Sequence, residues 1–266
     1  MISRKQLNAR EYIASLAASG RYWFASDDAR KMLGVSADAA KLALNRLARQ
    51  KIVASPGRGI YVILPPEYQS LGCLPADQFI PALMQHFGQS YYVGLLSAAQ
   101  YYGAAHHRPQ EFQVMVAKAR RKVRCGQVRV AYIIRKRLKD VPVQSFNTPR
   151  GTLLVSTPEA TAIDLVGYHH HAGGMEQVAT ILAELAEQID AVKLVESAKT
   201  APVSWSQRLG YLLEYIGVGE QAALLKSHVR KTAQDTVMLL PGSGDSNAKR
   251  DKDWKLIINA ELELEI

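Results

Sequence analysis

The sequence predicts an α+β protein: an N-terminal winged helix-turn-helix domain followed by a larger mixed α+β domain. Three observations carry this expectation. Residues 26–50 read as two short helices broken at Gly34, and residues 51–64 (KIVASPGRGIYVIL) read as two β-branched runs around a Pro- and Gly-rich turn. Beyond them, helices, strands and helices come in blocks, an order that fits an α+β sheet better than a doubly wound one.

In order, Arg4–Ala18 forms a first helix with Leu7, Tyr12, Ile13 and Leu16 available for burial, and Gly20 ends it. Tyr22, Trp23 and Phe24 are an aromatic knot for packing. Ser26 or Asp27 caps a helix through Met32, because a side-chain oxygen can accept from the orphaned first amides. Gly34 closes that helix and Ser36 opens the next, which runs to about Gln50. On a 3.6-residue wheel Ala40, Leu44 and Leu47 make a buried stripe, while Lys41, Asn45 and Arg49, four residues apart, share another face. That face suits a DNA major groove: amides read adenine, and cations neutralise phosphates. The candidate DNA-binding residues are Ser36, Lys41, Asn45, Arg46, Arg49 and Arg58, the last at the tip of the hairpin. Asp38 lies on the same face; it would repel phosphate, or accept from a cytosine amino group.

Pro65-Pro66 and the following EYQSLGCLP are punctuation, so the domains are expected at 1–66 and 72–266, with the boundary at about 65–75. Asp77–Phe87 and Tyr91–Tyr102 read as helices, and HHRP at 106–109 as a loop. Phe112–Ala117 alternates like a strand, and Lys122–Arg135 reads as a hairpin turning at Cys125-Gly126. Gln144–Asn147 and Thr152–Ser156 pair around Pro149-Arg150-Gly151. A helix over 157–167 has Thr157 as N-cap and Pro158 in its first turn. Further helices follow at Met175–Gln188, Ala191–Ala198, Ser204–Ile216 and Glu220–Lys231. Residues 241–253 read as a surface loop before a last strand, Trp254–Ile258.

The net charge is +9, and it is unevenly placed. Residues 1–64 carry eleven Lys and Arg against four Asp and Glu; residues 118–139 carry ten against none. Two basic blocks on an otherwise mildly acidic chain are what a polyanion binder shows. In the second block, Val123, Val128, Val130, Tyr132, Ile133 and Ile134 interleave with cations, which marks a structured ribbon and not a free tail. Its Lys118, Arg120, Arg121, Lys122, Arg124, Arg129, Arg135, Lys136 and Arg137 form a candidate second basic surface. Its partner is DNA, RNA or the chain's own acidic helices.

Two cysteines, Cys73 and Cys125, are too few for a disulfide framework or a thiolate zinc site. With no signal segment and no window near ~18 consecutive apolar residues, a cytoplasmic protein without membrane contact is expected. His169-His170-His171 and His106-His107 lack nearby ligands at metal spacing, so no metal and no cofactor are expected. Gly242-Ser243 ahead of Asp251 and Asp253 mimics a nucleotidyltransferase signature, but in a polar loop with too little chain following. The best strand for a PD-(D/E)xK nuclease, FQVMVAK, has Met115 or Val116 where the carboxylate belongs. No catalytic residue is assigned, and catalysis is not expected.

Taken in order, the basic winged helix ending in RGIYV, then YYVGLLSAAQYYG, a short strand, a basic hairpin, STPEATAIDLV and RLGYLLEYIG resemble the AbiEi family of abortive-infection antitoxins. The resemblance runs from about Leu7 to Asn259. It implies a type IV toxin–antitoxin system of bacteria, with two jobs for the chain. The winged helix would repress its own operon at inverted repeats in double-stranded DNA. The second domain would counteract a co-transcribed nucleotidyltransferase toxin without a stable complex. A winged-helix regulator with a ligand-sensing second domain, and a DNA-targeted nuclease, are the alternatives.

Overall fold

A computed structural model describes residues 8–104, 109–242 and 248–262. The described elements are α1 (Ala9–Ala18), β1 (Trp23–Ala25), α2 (Ser26–Leu33), α3 (Ala37–Arg49), β2 (Val53–Gly57), β3 (Ile60–Ile63), α4 (Ala76–His86), β4 (Tyr91–Val93), α5 (Leu95–Ala99), β5 (Phe112–Val116), β6 (Val123–Cys125), β7 (Val128–Ile134), β8 (Val143–Thr148) and β9 (Gly151–Ser156). After them come α6 (Pro158–Gly167), α7 (Met175–Leu185), α8 (Ala191–Ala198), α9 (Val203–Tyr215), α10 (Gly219–Thr232), β10 (Val237–Met238), β11 (Lys249–Asp251) and β12 (Leu256–Ile258). The protein is mixed α+β. It divides into one compact unit of residues 1–91, 110–134 and 145–154, and another of 92–109, 135–144 and 155–266.

In the first unit, Asn8 opens α1 with a capping box: its side chain accepts from the Glu11 amide, and Glu11 accepts from the Asn8 amide, both at 2.9 Å. The expected helix residues 4–7 lie outside the described residues. α2 differs from expectation at its start. Neither Ser26 nor Asp27 caps it; Ser26 is already helical, and no side chain caps the preceding Ala25. The reason is that β1 runs directly into α2, and the Ser26 amide donates to the Gly59 carbonyl at 2.9 Å instead. Gly34 ends α2 at φ 64°, a left-handed conformation that glycine adopts without a Cβ clash. Ser36 caps α3, accepting from the Ala39 amide at 3.2 Å.

The sheet order β1-β3-β2 is antiparallel throughout. Phe24 is fully buried in it, stacked on its register partner Tyr61 at 5.6 Å and edge-on to Tyr12 at 5.7 Å. Tyr12, Ile13, Leu16, Leu33, Leu44 and Leu47 complete this core. α4 packs on the same sheet, with Leu83 and Phe87 against the backbone of Gly57. Farther along, β7 lies between parallel β5 and antiparallel β6. The β6–β7 turn at Gly126 sits so close to Leu71 and Gly72 that no Cβ fits there. Gln127 donates its amide to the Leu71 carbonyl at 2.8 Å across this contact. Cys73 and Cys125, next in the chain to Gly72 and Gly126, are free and buried.

In the second unit, α6 is buried on every side from Glu159 to Val166 and is surrounded by α5, α7, α8 and α9. Thr157 caps it as the sequence predicts. Tyr91–Tyr102 is not one helix: Tyr91–Val93 is a strand, and only Leu95–Ala99 and a 3-10 turn over Gln100–Tyr102 are helical. An aromatic, β-branched start makes a strand, with Val93 pairing Val155, and Gly94 breaks it. Residues 249–251 also depart from the expected loop, pairing with β12 in a small sheet ordered β10-β12-β11. Residues 243–247 of that loop, and His106 and His107, lie outside the described residues.

Candidate nucleic-acid interface

The α3 helix turns Ala40, Leu44 and Leu47 inward and leaves the opposite side to solvent. Lys41, Asn45, Arg46 and Arg49 are all exposed on it. Ser36 accepts through its oxygen as the N-cap, and its hydroxyl hydrogen remains available to a phosphate at the positive end of the helix. Arg58 is exposed at the β2–β3 turn, its carbonyl 3.3 Å from the His86 ring. That turn is steadied by Ser55, whose hydroxyl reaches the Gly57 and Ile60 carbonyls at 2.8 and 3.0 Å. One exposed residue on α3 was missed: Leu42, with 59% of its surface accessible. The helical wheel carried the signal, since Leu42 lies opposite the buried stripe.

The second basic block is divided by the fold. Lys118, Arg121, Lys122, Arg124 and Arg129 are exposed in the first unit, and β6 packs against β2 there. Lys122 pairs with Glu111 at 2.6 Å. Lys118, Arg121, Arg124 and Arg129 form no ion pair among the described residues. Arg120 is half-buried; its guanidinium lies 3.8 Å from the Phe87 ring and donates to Gln89 at 2.7 Å. Its role is to hold the ribbon to α4.

Arg135 is a correction: it is 3% exposed and belongs to no surface. Its Nε donates to Asp164 at 2.8 Å, and its other nitrogens reach the Lys136 and Thr200 carbonyls and the Thr200 hydroxyl. The guanidinium also lies 5.0 Å from the Trp205 ring. Tyr92 donates to the second Asp164 oxygen at 2.6 Å. Burial and the adjacent carboxylate push the Tyr92 hydroxyl up, so it stays protonated as a donor. Burial opposes the Arg135 charge, and Asp164 outweighs it, holding the guanidinium above its ordinary value. Every group in this network is bonded, which makes it a brace. Lys136 and Arg137 fall in the second unit and are exposed; Arg137 pairs with Asp140 at 2.8 Å and donates to the Lys199 carbonyl.

Residues that invited an enzymatic or metal reading have other occupations. Asp251 accepts from the Trp254 amide, and Asp253 pairs with Lys226 and Arg230. His169–His171 form a 3-10 turn, and among the described residues no His, Cys, Asp or Glu cluster could hold a metal. No helix of the described chain is long and apolar enough to cross a membrane.

These features define a mixed α+β protein with a cationic, solvent-facing helix in one unit and a helical second unit braced by a buried ion pair. Residues 92–215 match the family model described as the AbiEi antitoxin C-terminal domain, which supports an antitoxin of that family. No curated protein matched. Among solved structures, the crystal structure of the RV2827C protein from Mycobacterium tuberculosis is similar in fold. It has a TM-score of 0.67 at 15% identity, over 94% of this chain and 90% of that one.

Proposed function

We propose that this antitoxin is also a transcriptional autorepressor. Residues 1–66 act as a winged helix-turn-helix that binds duplex DNA, and residues 72–266 counteract a co-transcribed nucleotidyltransferase toxin without a stable complex. The observation that carries the DNA half is α3, whose outward side holds Lys41, Asn45, Arg46 and Arg49 in a chain with an antitoxin domain. Asn45 reads adenine through a bidentate contact; Lys41, Arg49, Arg58 and the β6–β7 cations neutralise phosphates. The operator is read as inverted repeats in the protein's own promoter.

A gel-shift titration with the promoter fragment upstream of the protein's own gene tests the first half. Lys41→Ala/Arg49→Ala should bind at least tenfold more weakly than wild type. Equal binding would sink the assignment. The antitoxin half is tested by growth rescue when the chain is co-expressed with the protein encoded by the adjacent gene.

A further inference from the structure

Leu42 sits at the centre of the outward side of α3. Three, four and seven residues separate it from Asn45, Arg46 and Arg49, and four from Asp38, so all share its face. Its neighbours Ala40 and Leu44 are buried, whereas Leu42 leaves 59% of its surface in water. A γ-branched apolar side chain held outward among an amide and guanidinium groups does not serve the fold, because it packs on nothing in the core. It does suit one feature of a duplex: the C5-methyl of thymine, the single apolar group that base pairs display in the major groove.

The surrounding charge selects the occupant. An apolar protein partner would have to bury Arg46 and Arg49 unpaired, whereas a polyanion neutralises them while the base edges meet Leu42 and Asn45. We propose that Leu42 is a specificity-determining residue that reads a thymine methyl, beside the base contacted by Asn45. The inference rests on the DNA-binding reading above and adds a base identity to it.

The test uses the full chain and, as probe, the duplex that wild type enriches from a randomised pool. Each thymine of that duplex is replaced in turn by deoxyuridine, which removes only the methyl. Wild type should bind about fourfold more weakly at one thymine position of each half-site, the worth of one buried methyl. Leu42→Ala should bind the thymine and uracil duplexes equally, since its side chain no longer reaches. Leu42 is exposed and alanine favours helix, so the variant keeps its fold. Wild type indifferent to every thymine-to-uracil change overturns the inference while leaving DNA binding intact. So does a Leu42→Ala variant that still tells the two duplexes apart. Reduced self-association of Leu42→Ala in sedimentation, with that discrimination unchanged, gives the face to a second copy of the chain. Failure of wild type to enrich any duplex overturns the DNA-binding reading as well, and is distinguished by that.

Discussion

Arg124 and Arg129 are register partners across the β6–β7 hairpin, two exposed guanidinium groups facing each other with no acid paired to either among the described residues. Like charges directly opposite cost a ribbon a few tenths of a kcal/mol to about 1 kcal/mol. A polyanion laid along the hairpin would turn that cost into affinity. Arg124→Gln is therefore expected to leave the melting temperature unchanged or slightly higher, and to lower the slope of log K against log salt by about 0.9. A lower melting temperature with an unchanged slope would show the pair to be an internal brace. Fluorescence anisotropy at several salt concentrations, beside a thermal melt, reads both.

Breaking the Arg135–Asp164 pair should be far costlier. Arg135→Met strands the Asp164 carboxylate in a fully buried site, and the expected loss is about 3–5 kcal/mol in urea unfolding. Tyr92→Phe removes one hydrogen bond to a charged group, for about 1.5–3 kcal/mol. Arg135→Met/Asp164→Leu should recover much of the single-variant loss, because no charge is left unpaired. If the double variant is no more stable than Arg135→Met, the pair is not the source of the cost.

Two glycines should resist the substitution that usually stabilises a helix. A Cβ on Gly210 in α9 would collide with the ring of fully buried Trp254, and one on Gly167 in α6 would collide with Trp205. Alanine gains about 1 kcal/mol of helix propensity over glycine, while overpacking costs about 1–3 kcal/mol. Gly210→Ala is thus expected to lower the melting temperature by a few degrees, with Trp254→Leu relieving part of the loss. A rise in melting temperature on Gly210→Ala alone would contradict the packing.

Stability should also fall on acidification below neutrality. Burial holds His169 and His228 below their ordinary value of 6.5; neighbouring His170 and Arg208 add to the effect on His169, and Lys199 to that on His228. The folded chain then binds fewer protons than the unfolded one as pH drops through 6.5. The stabilisation present above that pH is progressively lost below it. Melts from pH 7.5 to 5.5 should show a decline that His169→Gln/His228→Gln flattens. A decline of equal steepness in the double variant would locate its cause elsewhere.

Local signals in the sequence determined much of this molecule. Gly34 and Ser36 set the break between α2 and α3, because a left-handed residue and a capping hydroxyl act within one turn of the chain. The inward stripe of Ala40, Leu44 and Leu47 follows from helical period alone. The β6–β7 hairpin and the Thr157 cap were legible for the same reason.

Tertiary structure alone decided the rest, wherever a residue's partner lies far along the chain. Ser26 lost its capping role because the Gly59 carbonyl, thirty-three positions on, takes the amide that opens α2. Arg135 stands in a run of cations identical in character to its neighbours, yet Asp164, Tyr92 and Thr200 converge to bury it. Nothing in local charge pattern separates it from exposed Lys136, because burial is a property of what the whole chain brings around a side chain. Tyr91–Val93 pairs as a strand through Val93 and Val155, sixty-two positions on, while the residues after Gly94 keep the helix that the sequence predicts.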